Sequence, residues 1–357
     1  MTTSPALDTE AVIVGAGFAG LYALHRFRQA GVSAVVLEAA DDVGGTWYWN
    51  RYPGARCDIV STDYQYTFDP ELDAEWRWSE KYATQPEILR YLGFVADKYG
   101  LRDGIRFGTA VTSATWDEAT STWQITTAAG DTVTCRWYVM ATGCLSVPKE
   151  VDVPGAERFQ GATYLTGRWP HDPVDFTGQR VAVVGTGSSA IQAIPLIAEQ
   201  AQQLVVFQRT PNYSIPARNG DLPERQAWRD SDRAGYVAAM LDSALGVPGE
   251  RALEPAALLA PDEQRRRFDE AYATGEMRPI LSLWADQLAD PAANEIVAGF
   301  VRERIAERVG DPGLAADLVP TDYPFGAKRM CLDTNYYETY RRPNVRLVNL
   351  RRDPISA

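Results

Sequence analysis

Two glycine-rich segments of this chain carry residues able to bind phosphate, and they differ at the residue that would read a ribose. Gly15-Ala16-Gly17-Phe18-Ala19-Gly20 follows the apolar run Ala11-Val12-Ile13-Val14 and precedes a second run, Ala34-Val35-Val36-Leu37, that ends at Glu38. Gly185-Thr186-Gly187-Ser188-Ser189-Ala190 follows Val181-Ala182-Val183-Val184 and precedes Leu204-Val205-Val206-Phe207, which ends at Gln208-Arg209-Thr210. Each segment reads as strand, tight turn, helix, strand. The first glycine permits the turn, the second lets backbone approach a pyrophosphate, and the third lets helix meet sheet; Ala190 is an accepted variant of the third. Helix-start amides then face the phosphates. Glu38 lies 23 residues after Gly15, and Arg209 lies 24 after Gly185. A carboxylate at that strand end accepts bonds from ribose hydroxyls and repels a phosphate, whereas a guanidinium pairs with a phosphate, and the Thr210 hydroxyl can add a bond. The two sites therefore predict FAD at the first turn and NADPH at the second, with reducing equivalents passing between them.

Other residues could serve the same chemistry. Gly44-Gly45-Thr46-Trp47 follows Glu38 closely, and such a loop can lie along the adenosine-to-flavin span of FAD. Arg56-Cys57-Asp58 places a charge pair just beyond Pro53-Gly54, where an acid could orient an arginine or the nicotinamide amide.

The elements that must hold these residues follow from periodicity. A helix over residues 19–30 is expected to end at Gly31, a left-handed cap. Residues 41–54 are turn-rich and aromatic and read as a long structured loop. Gln85-Pro86-Glu87 opens an amphipathic helix to about residue 99. Residues 105–139 alternate as short strands (105–107, 111–116, 123–127 and one run over 133–140), a small meander leading to Ala141-Thr142-Gly143. Past Pro216 the texture becomes helical, with Ile296, Val297, Phe300, Val301 and Ile305 at helical spacing; near Asp322 it returns to loop, then strand over 345–348. The expected fold class is α/β, two Rossmann-like dinucleotide-binding domains with a helical insert in the second. The expected division is 1–144 for the FAD domain, 145–215 and 323–357 for the two parts of the NADP domain, and 216–322 for the insert.

Composition narrows the function. The chain has 357 residues, 45% of them hydrophobic, and a net charge of −12. That balance argues against nucleic acid or an anionic membrane as partner. No apolar stretch reaches the ~20 residues of a membrane span, and the amino terminus lacks a signal-peptide pattern. Cys57, Cys135, Cys144 and Cys331 show neither metal nor disulfide spacing, which suggests a reducing, cytoplasmic setting. With His25 and His171 as the only histidines, no metal site and no Ser-His triad is expected.

Further residues carry a family resemblance. The segment Phe159-Gln160-Gly161-Ala162-Thr163-Tyr164-Leu165-Thr166-Gly167-Arg168-Trp169-Pro170-His171 precedes the second turn. With the two glycine turns, Gly44-Gly45-Thr46-Trp47, Arg51 to Asp58, Phe207 to Pro211 and Tyr323-Pro324-Phe325-Gly326-Ala327-Lys328-Arg329, it resembles type I Baeyer–Villiger monooxygenases of the cyclohexanone and phenylacetone group. Leu165 stands where that family has histidine, and a leucine lacks the polar contacts of an imidazole, so altered coupling between the nucleotide domains is expected. The family also continues past the length of this chain, which reads as truncated at its carboxyl end.

The resemblance implies an FAD- and NADPH-dependent enzyme that uses dioxygen to insert oxygen beside a ketone carbonyl, giving an ester or lactone. It implies that Arg329 stabilises developing negative charge, that Asp58 holds Arg329, and that Lys328 reaches the NADPH phosphate beside Arg209. The expected cofactor contacts are Gly15, Gly17, Phe18, Ala19, Gly20, Glu38, Gly45, Thr46, Trp47, Asp58, Tyr64 and Val111. At the second turn they are Gly185, Thr186, Gly187, Ser188, Ser189, Ala190, Arg209, Thr210 and Lys328. Three alternatives stand beside this reading: a flavin monooxygenase acting on sulfur or nitrogen, an uncoupled NADPH oxidase, and a non-catalytic nucleotide-binding fragment.

Overall fold

A computed structural model describes residues 7–149, 153–243, 246–249 and 252–355. In chain order, strand β1 (Ala11–Val14), helix α1 (Phe18–Gln29) and strand β2 (Ala34–Leu37) come first. Helices α2 (Thr46–Trp49), α3 (Pro70–Glu75) and α4 (Gln85–Lys98) follow. Strands β3 (Ile105–Arg106), β4 (Val111–Asp117), β5 (Thr122–Thr127), β6 (Thr132–Cys135) and β7 (Trp137–Met140) come next. Then β8 (Arg180–Val184), α5 (Ser188–Gln200) and β9 (Gln203–Gln208) repeat the opening pattern. Strand β10 (Ser214–Pro216) leads into helices α6 (Pro223–Ser231), α7 (Arg233–Leu241), α8 (Pro261–Thr274), α9 (Met277–Leu281), α10 (Pro291–Val309) and α11 (Pro312–Leu318). Strand β11 (Cys331–Asp333), helix α12 (Tyr336–Thr339) and strand β12 (Val345–Asn349) follow.

Packing divides the chain into two compact units. One comprises Met1–Arg51, Gln85–Val151 and Gly161–His171; the other comprises Tyr52–Thr84, Asp152–Gln160 and Asp172–Ala357. Tyr52–Thr84, and Asp58 with it, thus group with the second glycine turn.

The first unit is built on a parallel sheet of order β3-β2-β1-β7. Strand β1 is central, and Ala11, Val12 and Ile13 are fully buried. A strand covered on both faces needs an unbroken apolar run, which is what residues 11–14 supply. Leu21 and Leu24 of α1 are buried, and Gly31 is left-handed at φ 71°. The antiparallel meander β4-β5-β6 is a separate sheet. The single run expected over 133–140 is two strands. Arg136 and Trp137 both donate their N–H to the Glu10 carbonyl at 3.0 Å, so β6 stays with β5 while β7 turns to pair with β1. Alternation alone does not mark that switch, because both strands keep the same period. The loop expected over 41–54 contains the one-turn helix α2.

The second unit carries a parallel sheet of order β12-β9-β8 and a parallel pair, β10 and β11. The expected helical insert is present, and α10 buries Val297, Val301 and Ile305, while Ile296 and Phe300 flank that stripe half-buried. Among the described residues no helix is long and apolar enough to cross a membrane.

A buried charge fastens the Tyr52–Thr84 segment to the insert. The Arg229 side chain of α6 is 1% exposed; it donates to the Thr62 carbonyl at 2.9 Å and to Asp73 Oδ1 at 2.9 Å. Asp73 also accepts from Arg233 at 2.6 Å. Removing one partner of a buried pair strands the other charge away from water, a loss of about 3–5 kcal/mol, whereas an exposed pair contributes about 0–1 kcal/mol. Asp73→Ala is therefore expected to lower the denaturant midpoint far more than Asp230→Ala, which removes the exposed pair with Arg77. Equal losses would contradict the buried fastening.

Candidate functional site

In the first unit the glycine turn is closed by its own backbone. Gly15 sits at φ 103° and donates its N–H to the Leu37 carbonyl at 2.9 Å. A Cβ on Gly15 would stand 2.7 Å from the Ala141 carbonyl oxygen, and one on Gly20 would stand 1.8 Å from the Gly15 oxygen. These two glycines are required by helix-to-sheet contact. Gly45, at φ 53°, brings its loop onto Gly17, where an added Cβ would lie 3.0 Å from the Gly17 Cα. Thr46 and Trp47 then open α2; Trp47 is buried, and its carbonyl accepts from Gln85 Nε2 at 2.5 Å. The ring of Phe18 lies 6.2 Å from that of Tyr91. Val111 opens β4 half-buried, packed on a cluster that includes Val12, Leu37 and Ile125.

Glu38 is 5% exposed at the end of β2. Its Oε2 accepts from Ala16 N at 2.5 Å and its Oε1 from Ala40 N at 2.8 Å. Among the described residues no cation pairs with it. Such a carboxylate, oriented by two amides and keeping lone pairs free, suits neutral hydroxyl donors and is hostile to phosphate.

The second turn, in the second unit, is built differently. Gly185 is left-handed at φ 105° and donates to the Phe207 carbonyl at 2.9 Å. A Cβ on Gly187 would meet no protein atom within 4 Å. Packing does not demand glycine there; a ligand approaching the backbone would. Thr186 Oγ1 donates to the Thr210 carbonyl at 3.1 Å, joining the turn to the strand end that carries Arg209. Ser188, Ser189 and Ala190 form the first turn of α5 and are half-buried.

Helix starts distinguish these two turns from four other helices of the chain. Aspartates 69, 232, 290 and 311 cap α3, α7, α10 and α11 by accepting first-turn N–H bonds. Helices α1 and α5 begin at Gly17 and Gly187 with no side-chain cap and no acid in the first turn. An uncapped, acid-free N-terminus keeps its amides and partial positive charge for an external anion.

Cations gather where β9 ends. Arg209 is exposed. Lys328 Nζ lies 4.4 Å over the Tyr323 ring, and the Tyr323 hydroxyl donates to the Pro211 carbonyl at 2.9 Å, tying the Lys328 segment to the chain just past Thr210. Arg351, which sequence reasoning did not single out, donates to Thr210 Oγ1 at 3.5 Å and pairs with Asp322. Its signal was positional: β12 runs parallel to β9 with Asn349 opposite Gln208, so Arg351 leaves the sheet at the same end as Arg209, level with Thr210.

Asp58 and Arg329 form a two-point pair. Arg329 Nε donates to Asp58 Oδ2 at 2.8 Å, and Nη2 donates to Oδ1 at 2.5 Å. The Arg329 side chain is 61% exposed and that of Asp58 only 15%. The Asp58 carboxylate raises the Arg329 pKa above its ordinary value, against the cost of burial. Each partner has its own mount. Strand β11 pairs with β10 directly after Arg329, with Cys331 opposite Ser214. Asn294 of α10 holds Phe325 by both backbone groups, at 2.8 and 2.9 Å. Asp333, fully buried, accepts from Arg308 at 2.6 and 2.9 Å. On the other side, Cys57 N donates to the Ala83 carbonyl at 3.0 Å, beside a bridge between Arg56 and Thr84. Burial pushes both the Cys57 and Cys331 thiols up to about 12, with the Asp58 charge adding to each shift. Tyr64 lies further along, its N–H bonded to the Val60 and Ser61 carbonyls at 3.1 Å.

The Gly161–His171 stretch docks within the first unit. Trp169 N donates to the Trp49 carbonyl at 3.3 Å, and the His171 ring meets that of Tyr48 edge-on at 4.9 Å. Leu165 is half-buried in a tight turn bridged to Arg168.

Comparisons with known proteins agree on one family. The model of the pyridine nucleotide-disulphide oxidoreductases matches residues 12–219. A Baeyer–Villiger monooxygenase of Pseudooceanicola batsensis is 38% identical over 99% of this chain and 65% of its own length. A solved structure of an oxidized steroid monooxygenase bound to NADP superimposes with a TM-score of 0.93 at 50% identity, covering 97% of this chain and 66% of that one. OTEMO in complex with FAD and NADP superimposes with a TM-score of 0.94 at 40% identity, covering 98% of this chain and 67% of that one. The chain spans 59–66% of the length of the curated relatives it matches.

The two turns predict opposite outcomes for one substitution. Gly20→Ala should cost about 1–3 kcal/mol or more, because the added methyl meets rigid backbone. Gly187→Ala should stay within about 0.5 kcal/mol of the parent. Thermal denaturation of both variants checks this; a Gly187→Ala loss as large as that of Gly20→Ala would show that packing also demands the second glycine.

Proposed function

This chain belongs to the pyridine nucleotide-disulphide oxidoreductase family and, within it, to the Baeyer–Villiger monooxygenases, and on that premise we propose that its protein inserts one oxygen atom of dioxygen beside a ketone carbonyl. Ketone, dioxygen, NADPH and a proton give an ester or lactone, NADP⁺ and water. Bound FAD supplies the redox chemistry, taking electrons from NADPH and activating dioxygen.

The residues divide the remaining work. In the first unit, the uncapped start of α1 faces the FAD pyrophosphate, and Glu38 accepts from the adenosine ribose. Gly45, Thr46 and Trp47 line the path toward the flavin. In the second unit, the start of α5 holds the NADPH pyrophosphate. Arg209, Thr210 and Lys328 take the 2′-phosphate, and Arg351 adds a further charge beside Thr210.

The observation that carries the reaction is the Asp58–Arg329 pair. Asp58 engages Nε and one terminal nitrogen of Arg329, and the remaining N–H donors stay open to a substrate oxygen. A guanidinium stays charged at every working pH, so it can stabilise negative charge as the ketone carbonyl becomes tetrahedral. Holding it in advance avoids reorganisation during the reaction. Four unpaired cysteines suit a reducing compartment, and we place the protein in the cytoplasm.

The protein is incubated with FAD, NADPH and a panel of ketones and sulfides, and products are identified by mass. Esters or lactones are expected; oxidised sulfides without any ester would point to heteroatom oxidation instead. In Arg329→Ala, ester output should fall about 10²–10³-fold, the usual loss of one aimed donor, while NADPH is still consumed. Normal ester output would remove Arg329 from the chemistry. Arg209→Ala should weaken NADPH by about tenfold or more and leave NADH nearly unchanged, since a charged hydrogen bond contributes about 1.5–3 kcal/mol. Equal losses for the two cofactors would refute the phosphate role.

A further inference from the structure

Gln192 stands four residues into α5 from Ser188 and one turn below the nucleotide turn, on the helix face it shares with Ser188 and Ser189. Its amide is occupied on both sides. Oε1 accepts from the Tyr52 hydroxyl at 2.9 Å and from Arg56 N at 3.3 Å, while Nε2 donates to the Arg56 carbonyl at 3.1 Å. One primary amide thus pairs with both backbone groups of Arg56, as a neighbouring strand would. Arg56 bridges to Thr84 on its other flank. The backbone confirms a close approach at the same level: Gly54 is left-handed at φ 78°, and a Cβ there would lie 2.6 Å from the Gln192 carbonyl oxygen.

Helix α5 also packs against β11, which carries the other arm of the charge pair. Burial raises the Tyr52 hydroxyl above its ordinary pKa, and a hydrogen bond with Ser189 opposes that rise. Burial likewise raises the Cys331 thiol, two residues past Arg329, and a hydrogen bond with Ser188 opposes it. Gln192 itself touches the Asp58 arm, through Tyr52 and Arg56.

We infer that Gln192 is a positioning residue that locks the Tyr52–Asp58 loop onto α5, so that the carboxylate holding Arg329 keeps a fixed register to the nucleotide turn. For its catalytic consequence this rests on the function proposed above. The geometry explains the residue type. Glutamate would set an oxygen against the Arg56 carbonyl, and asparagine is one methylene short.

The test reads the loop itself through its buried thiol. Cys57 lies in the loop, Cys331 on β11 and Cys135 in the other unit; all three are buried, while Cys144 is exposed. The wild type, Gln192→Ala, Gln192→Glu and Gly54→Ala are each alkylated at pH 8, and the modified cysteines are mapped by mass. Cys144 should react first in every sample. Gln192→Ala and Gly54→Ala, which cut the contact from opposite sides, should each raise the Cys57 rate about tenfold or more, with Cys331 and Cys135 unchanged. Gln192→Glu should fall between wild type and Gln192→Ala. Unchanged Cys57 in Gln192→Ala, or Cys57, Cys331 and Cys135 rising together, overturns the proposal. The same samples are titrated with NADP⁺. Binding by the wild type with no Cys57 release in the variants defeats the lock and leaves the nucleotide reading standing. Cys57 release without NADP⁺ binding supports the lock and defeats that reading instead.

Discussion

A carboxylate and a guanidinium separated by 271 positions in the chain meet at two points, and the second unit is arranged around that meeting. A pair whose guanidinium is this exposed adds little to stability, about 0–1 kcal/mol. It does not hold its surroundings together; its surroundings hold it. Asn294 fixes the approach to Arg329, the β10–β11 pair fixes its exit, and Asp333 with Arg308 anchors the strand behind it. Asp58 is carried by a segment bridged to Thr84 on one flank, bonded to Gln192 on the other, and fastened to the insert through Arg229 and Asp73. The helical insert that looks like decoration in sequence is a mounting for two charged side chains.

The two nucleotide turns use one backbone device for two electrostatic ends. Both start a helix without a side-chain cap, while aspartates cap α3, α7, α10 and α11. At one strand end a buried carboxylate is steered by two amides; at the other, exposed cations cluster near Thr210. Discrimination between a ribose and its phosphorylated form then needs no change of fold. It needs a change of charge at one position relative to a shared turn.

Much of this was legible in sequence, because local rules set it. Buried parallel strands require apolar runs, left-handed turns require glycine, and the acid or arginine falls at a fixed interval. Features that depend on distant partners were not legible. The strand switch at Arg136 depends on which strand accepts each half. Cys331–Asp333 is three residues long and contains a buried aspartate, which reads as loop until Arg308 is seen beside it. Gln192 shows nothing by itself, since its partner Arg56 is 136 positions away. Arg351 gains meaning only from the parallel register of β12 on β9.

If Asp58 works only by holding Arg329, the two residues form one functional unit. A double-mutant cycle on ester formation, comparing Asp58→Ala, Arg329→Ala and the double variant, reads that dependence. The double variant should form ester no more slowly than Arg329→Ala alone, because Asp58 has nothing to position once the guanidinium is gone. Losses that multiply, with each residue costing its full factor in the other's absence, would contradict it.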